Sequence, residues 1–103
     1  MTIKLVLLKT GETIISDVKE LVSDEKPCGY LLNDPQLVSI KKEMIDTEND
    51  DQQNVNRGEV HVSLTPWIIL SIDKQIPIDF SNVVTLAEPV ESLKKMYEDK
   101  VNV

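Results

Sequence analysis

Apolar and polar positions alternate along most of this chain with a period near two, and only the C-terminus changes period. Ile3–Leu8 is a near-continuous apolar run broken by Lys4, the pattern of a buried strand. Lys9-Thr10-Gly11-Glu12 follows as a turn, with Gly11 free to take positive φ. In Thr13–Val22, Ile14, Val18 and Val22 share one parity and Asp17 and Lys19 the other. Ile15 and Leu21 break the alternation, which predicts a bulge or strong bend in this second strand. The two strands are expected to pair as an antiparallel hairpin. Ser23–Gly29 reads as a polar connection, and 30–42 as one irregular strand or two short ones split at Pro35. Glu59–Leu64 alternates cleanly, Trp67–Ile72 reads as a buried strand, 76–80 as an edge strand and Val83–Ala87 as the last strand. From Glu88-Pro89 onward, Val90, Leu93, Tyr97 and Val101 fall at spacings of 3, 4 and 4, with Met96 beside them. That is one helical stripe, and it predicts a C-terminal helix over 89–101.

Composition narrows this picture. A chain of 103 residues fits a single domain over 1–103. Only Tyr30, Trp67, Phe80 and Tyr97 are aromatic, so the core must be aliphatic, which favours strands. No run of about 18 apolar residues is present to span a membrane. The N-terminus has no signal-peptide pattern, and the single Cys28 excludes an internal disulfide and points to a reducing compartment, the cytoplasm. The net charge is −7, but Glu43, Asp46, Glu48, Asp50 and Asp51 supply much of it. Without them 11 basic residues face 13 acidic ones, so the acidity is local. Residues 46–56 contain one apolar side chain, Val55, and are expected to form a mobile acidic loop.

Candidate chemistry is sparse. One Cys and one His cannot build a structural zinc site. The acidic run lacks the EF-hand spacing, central Gly and terminal Glu, so it reads as a solvated loop and no metal or other cofactor is expected. His61 falls at an outward strand position with nothing to make it a catalytic base. No phosphate-cradling glycine loop occurs. The expectation is therefore a protein that is not an enzyme. The cations carry more. If 37–42 pairs with 59–64, then Lys41, Lys42 and Arg57 lie near the mouth of one hairpin, where they are candidates for phosphate contact. They serve equally well as charges that keep strand ends soluble. Lys74 is the fourth candidate. Trp67 and Tyr30 offer faces for base stacking, or act as core and interface anchors.

Leu8-Lys9-Thr10-Gly11-Glu12, followed by Ile14 and Val18, resembles the first half of the first Sm motif. The chain is similar to small Sm-like proteins of marine phages, which carry an acidic loop and a C-terminal helix. The resemblance implies a mostly β fold: a small, strongly bent five-stranded antiparallel Sm-like barrel, here with a C-terminal α-helix. It implies a homo-oligomeric ring of about five to seven subunits, joined through 59–72 and 76–87, that binds RNA or single-stranded DNA. A phage-type adaptor that binds protein and no nucleic acid is the competing expectation. The family's Asp-x-x-x-Asn signature has no clear counterpart beyond Asn33, and Arg57-Gly58 precedes the place of its Arg-Gly, so the usual uridine pocket does not carry over.

Overall fold

The computed structural model describes residues 1–43 and 59–102. The expected acidic loop over 46–56 lies outside them, as does Arg57. The chain is mostly β, and its elements run β1 (Ile3–Leu8), β2 (Thr13–Ser23), β3 (Lys26–Glu43), β4 (Glu59–Pro66), β5 (Gln75–Asp79), a 3-10 turn (Phe80–Asn82), β6 (Val83–Ala87) and α1 (Glu91–Val101). The six strands form one antiparallel sheet in the order β4-β3-β2-β1-β6, with β5 also on β3.

β1 and β2 pair as the pattern predicts, from Ile3 opposite Asp17 to Leu7 opposite Thr13. Gly11 takes φ +96° in the turn, and its N–H donates to the Leu8 carbonyl. The register between β2 and β3 shifts at Ile15/Asp17 and again at Leu21/Val22, beside the two residues that break the apolar alternation. The reason is that β2 is buried on both faces. Ile14 and Val18 join Val6, Leu8 and Leu32 in one core cluster, while Ile15 joins Ile3, Leu64 and Tyr97 in another. Successive strand residues point to opposite faces, so a strand between two cores must be apolar at both parities.

Three expectations change. The connection over Ser23–Gly29 contracts to a tight turn at Asp24-Glu25, whose φ values are +53° and +66°. Both are positive, as a two-residue hairpin turn of the right twist requires. β3 therefore begins at Lys26 and runs 18 residues without a break. The segment Trp67–Ile72 is not a strand. Nor are there five strands in the sheet but six, because β4 and β5 are separate pieces along β3.

The cause of that separation lies at Asp34-Pro35. Asp34 has φ +50°, and β3 carries an extra residue here relative to β2. Before the bend β3 pairs with β5, from Gly29 opposite Asp79 to Asn33 opposite Gln75. After it, β3 pairs with β4, from Gln36 opposite Pro66 to Glu43 opposite Glu59. The expected pairing of 37–42 with 59–64 lies within this second ladder. The Asp34 N–H donates to the Lys74 carbonyl at 2.6 Å, and the Trp67 N–H to the Pro35 carbonyl at 3.0 Å. These two bonds close the neck of an excursion over 68–73, which leaves the ladder at the bend.

The 3-10 turn forces the sheet to curl. β5 lies beyond β3, and β6 beyond β1, so four strand spacings of about 4.8 Å, roughly 19 Å, would separate them in a flat sheet. Three residues of 3-10 helix advance only about 6 Å. The sheet bends until Ile78 of β5 and Val83 and Leu86 of β6 pack on the same core cluster. Tyr30 meets Phe80 edge-to-face at 5.0 Å across this closure.

The other face is covered by α1. Tyr97 is fully buried, and Leu93 and Val101 pack beside it, as the stripe predicts. Val90 and Met96 remain exposed, and the helix begins two residues later than expected. Glu91 in the first turn and Lys100 in the last suit the helix dipole. The Lys100 ammonium also donates to the Leu64 carbonyl at 2.7 Å. The Tyr97 hydroxyl enters the β2–β3 ladder. It accepts from the Asp17 N–H at 3.1 Å and donates to the Asn33 carbonyl at 2.8 Å. Asp17 and Asn33 face each other across that ladder, so the hydroxyl bridges two backbone groups beside the bulge.

Candidate nucleic-acid interface

The candidate cations do not form one cluster among the described residues. Lys41 is exposed near the end of β3, with its Cα opposite His61. Lys42 continues the strand opposite Val60. Lys74 is exposed but sits at the bend, held by its carbonyl bond from Asp34. Seven residue steps along β3 separate Asp34 from Lys41, roughly 23 Å along an extended chain. The geometry thus offers two positions for phosphate contact, one at the hairpin end and one at the bend. Cys28 and Lys41, which faces His61, lie in opposite halves of β3, so the thiol and the imidazole are not neighbours. No group of three metal-ligating side chains occurs among the described residues, and no described helix is long and apolar enough to cross a membrane.

The two aromatic candidates have different settings. Tyr30 is half-buried against Phe80 and the core. Trp67 is also half-buried and packs on the same core cluster, but it lines a cavity of about 290 Å³ at the β3 bend. Gln36 lines this cavity too. The residue is 93% buried, and among the described residues Oε1 meets no hydrogen-bond donor. Sequence reasoning singled out Trp67 but not the cavity, because only the bend at Asp34-Pro35 brings 34–36 and 66–76 together around it. Asp34, Ser71, Asp73 and Lys74 provide further polar groups around it, and Ile72 and Ile76 apolar ones.

Next to the cavity the excursion exposes an apolar surface. Ile69, Leu70 and Ile72 are exposed by 70%, 97% and 95%. A second depression is lined by Tyr30, Phe80, Val83, Val84, Thr85 and Leu86. It borders the outer edge of β6, which among the described residues pairs with β1 alone and carries no charged side chain. The outer edges of β4 and β5 likewise have no strand beside them among the described residues. Such edges are templates for pairing with another chain.

These features define a small antiparallel β protein with a curled sheet, a C-terminal helix and, among the described residues, open edges, that of β6 uncharged. The profile of a family described as "Family of unknown function (DUF6561)" matches residues 1–102, and the chain belongs to that family. No curated protein matches it.

Proposed function

We propose that this protein is an Sm-like subunit that assembles with copies of itself through its open edges and binds RNA or single-stranded DNA. The observation that carries this reading is the curled sheet, with strand order β4-β3-β2-β1-β6 and a 3-10 turn tying β5 to β6. A bent antiparallel sheet is what the resemblance to Sm-like barrels leads one to expect, with six strands here in place of five. The uncharged β6 edge supports assembly, because closed rotational symmetry satisfies an edge without open-ended growth. Lys41 and Lys74 are exposed cations, and Lys42 and Arg57 complete the proposed set of phosphate contacts. No catalytic role is proposed for any residue.

Light scattering and fluorescence anisotropy test the two halves separately. A ring of about five to seven subunits has a mass several times that of the 11.7 kDa chain. A monomer mass at micromolar concentration overturns assembly. Labelled oligo-U and oligo-A should bind with an affinity that falls steeply as salt rises. Absence of binding below about 100 μM at low salt, weaker than ordinary non-specific association, overturns the nucleic-acid role. The exposed Ile69, Leu70 and Ile72 favour one second reading, a phage-type adaptor that docks on another protein. That reading replaces the first if the mass is monomeric and no oligonucleotide binds.

A further inference from the structure

We infer that the apolar tip of the 68–73 excursion seats in the depression beside β6 of a second copy of this chain, so that subunits join head to tail. The inference rests on the assembly half of the proposed function and names the side chains that make the contact. The tip is a defined structure. The Ser71 N–H donates to the Ile68 carbonyl at 3.1 Å, which closes a four-residue turn with Ile69 and Leu70 at its corners. The Asp73 N–H donates to Ser71 Oγ at 3.0 Å, and the Asp34–Lys74 and Trp67–Pro35 backbone bonds tie the neck. Turn corners ordinarily carry Gly, Pro, Asn, Asp or Ser, so local folding does not account for two large aliphatic side chains there. Nor does the core, because Leu70 is 97% exposed and Ile72 95%. Contiguous apolar surface of this kind marks an interaction site, and a tip ordered in advance loses little freedom on docking.

The same chain carries a receptor. The depression lined by Tyr30, Phe80, Val83, Val84, Thr85 and Leu86 has a volume of about 400 Å³ and no charged side chain. A cavity of about 150 Å³ accepts a benzene ring, so the depression has room for the side chains of both Leu70 and Ile69. Charge selects the occupant. The chain carries a net charge of −7, so two copies repel each other except where neutral surfaces meet. Residues 65–72 and 83–87 contain no ionisable side chain, and these segments hold the tip and β6. The same negative charge disfavours an anionic bilayer as the cover for the tip. The tip leaves the sheet between β4 and β5, whereas the depression borders β6. A projection and a recess at different places on one chain make a heterologous contact, which repeats from copy to copy until it closes. Both adjoin edges that are open among the described residues, so the contact is continuous with the edges through which assembly is proposed.

Leu70→Asp and Val84→Asp each put a carboxylate into the contact at a position exposed in the single chain. Both variants should therefore fold, with an unchanged far-UV circular dichroism spectrum. In light scattering each should raise the concentration of half-assembly by at least about tenfold. Disulfide trapping reads the direction of the contact. With the exposed Cys28 replaced by Ser, Leu70→Cys and Val84→Cys in one chain should give a ladder of covalent oligomers on treatment with oxidised glutathione. Either cysteine substitution alone should give monomer only. Covalent dimers from Leu70→Cys alone mean that tip meets tip, and they overturn the head-to-tail contact. So does a double variant that assembles but yields no ladder. If both Asp variants keep the parent's oligomeric mass, the tip contact falls and the assembly reading stands. A parent that is monomeric at micromolar concentration overturns both.

Discussion

Replacing Tyr97 by Phe removes one oxygen from a fully buried ring and leaves its packing intact. That oxygen is the acceptor for the Asp17 N–H and a donor to the Asn33 carbonyl. The two losses are unequal. The Asn33 carbonyl keeps a second donor in the Ser16 hydroxyl at 2.9 Å, whereas the Asp17 N–H loses the hydroxyl that takes it beside the bulge. A stranded buried donor costs about 1–3 kcal/mol, and at this half-buried position the lower part of that range applies, still a large share of the 5–15 kcal/mol typical of a domain. With a urea slope of about 1–3 kcal/mol/M, the unfolding midpoint should fall by about 1 M, read from Trp67 fluorescence. Alkaline pH gives an independent check. Burial pushes the Tyr97 phenol up to about 12, against about 10 in the unfolded chain. The folded state therefore favours the protonated form. This stabilisation is complete below pH 10 and is lost as pH rises through 12, by about 2–3 kcal/mol in all. The Tyr97→Phe variant should lack this part of the alkaline loss. A variant as stable as the parent, with the same fall between pH 10 and 12, would refute the bridging role of the hydroxyl.

Gly29→Ala should be among the most damaging small substitutions, since a Cβ at this buried position would overlap the Ile78 carbonyl oxygen and push β5 from β3; a loss of at least about 2 kcal/mol in thermal or urea unfolding checks it. Leu70→Asp changes a residue 97% exposed at the tip of the excursion, so stability measured on the monomer should move by no more than about 0.5 kcal/mol. A larger loss would mean that the tip packs within its own chain. Neutralising Lys41 and Lys42 together should weaken oligonucleotide binding and flatten its salt dependence by about one to two phosphate contacts, as read by anisotropy. An unchanged salt slope would remove the hairpin end from the interface.

Local pattern was a good guide wherever the ladder was regular. The β1–β2 hairpin, the irregularities beside Ile15 and Leu21 and the stripe through Leu93, Tyr97 and Val101 could all be read from periodicity. Other features could not. Asp24-Glu25 carries no glycine or asparagine, so nothing in the residue types announced a turn with two positive φ values. Trp67–Ile72 is as apolar as β1, and hydrophobicity alone cannot say whether a run is buried. The deciding event is more than thirty residues away, where Asp34-Pro35 bends β3 and moves its partner from β5 to β4. The cavity depends on the same bend, so nothing in one dimension announced it. The cations were legible as residue types, but the distance between Lys41 and Lys74 was not.

The order of elements along the chain also has a consequence for biosynthesis. α1 follows every strand, yet it supplies Tyr97, the largest fully buried side chain. While the chain is being made, the surface formed by Ile3, Ile15 and Leu64 has no cover until the helix leaves the ribosome. The β2–β3 ladder likewise lacks its bridging hydroxyl until then. A ribosome-stalled chain ending at Pro89 should accordingly be more sensitive to protease and more readily held by chaperones than the released protein, and extending it past Val101 should end both.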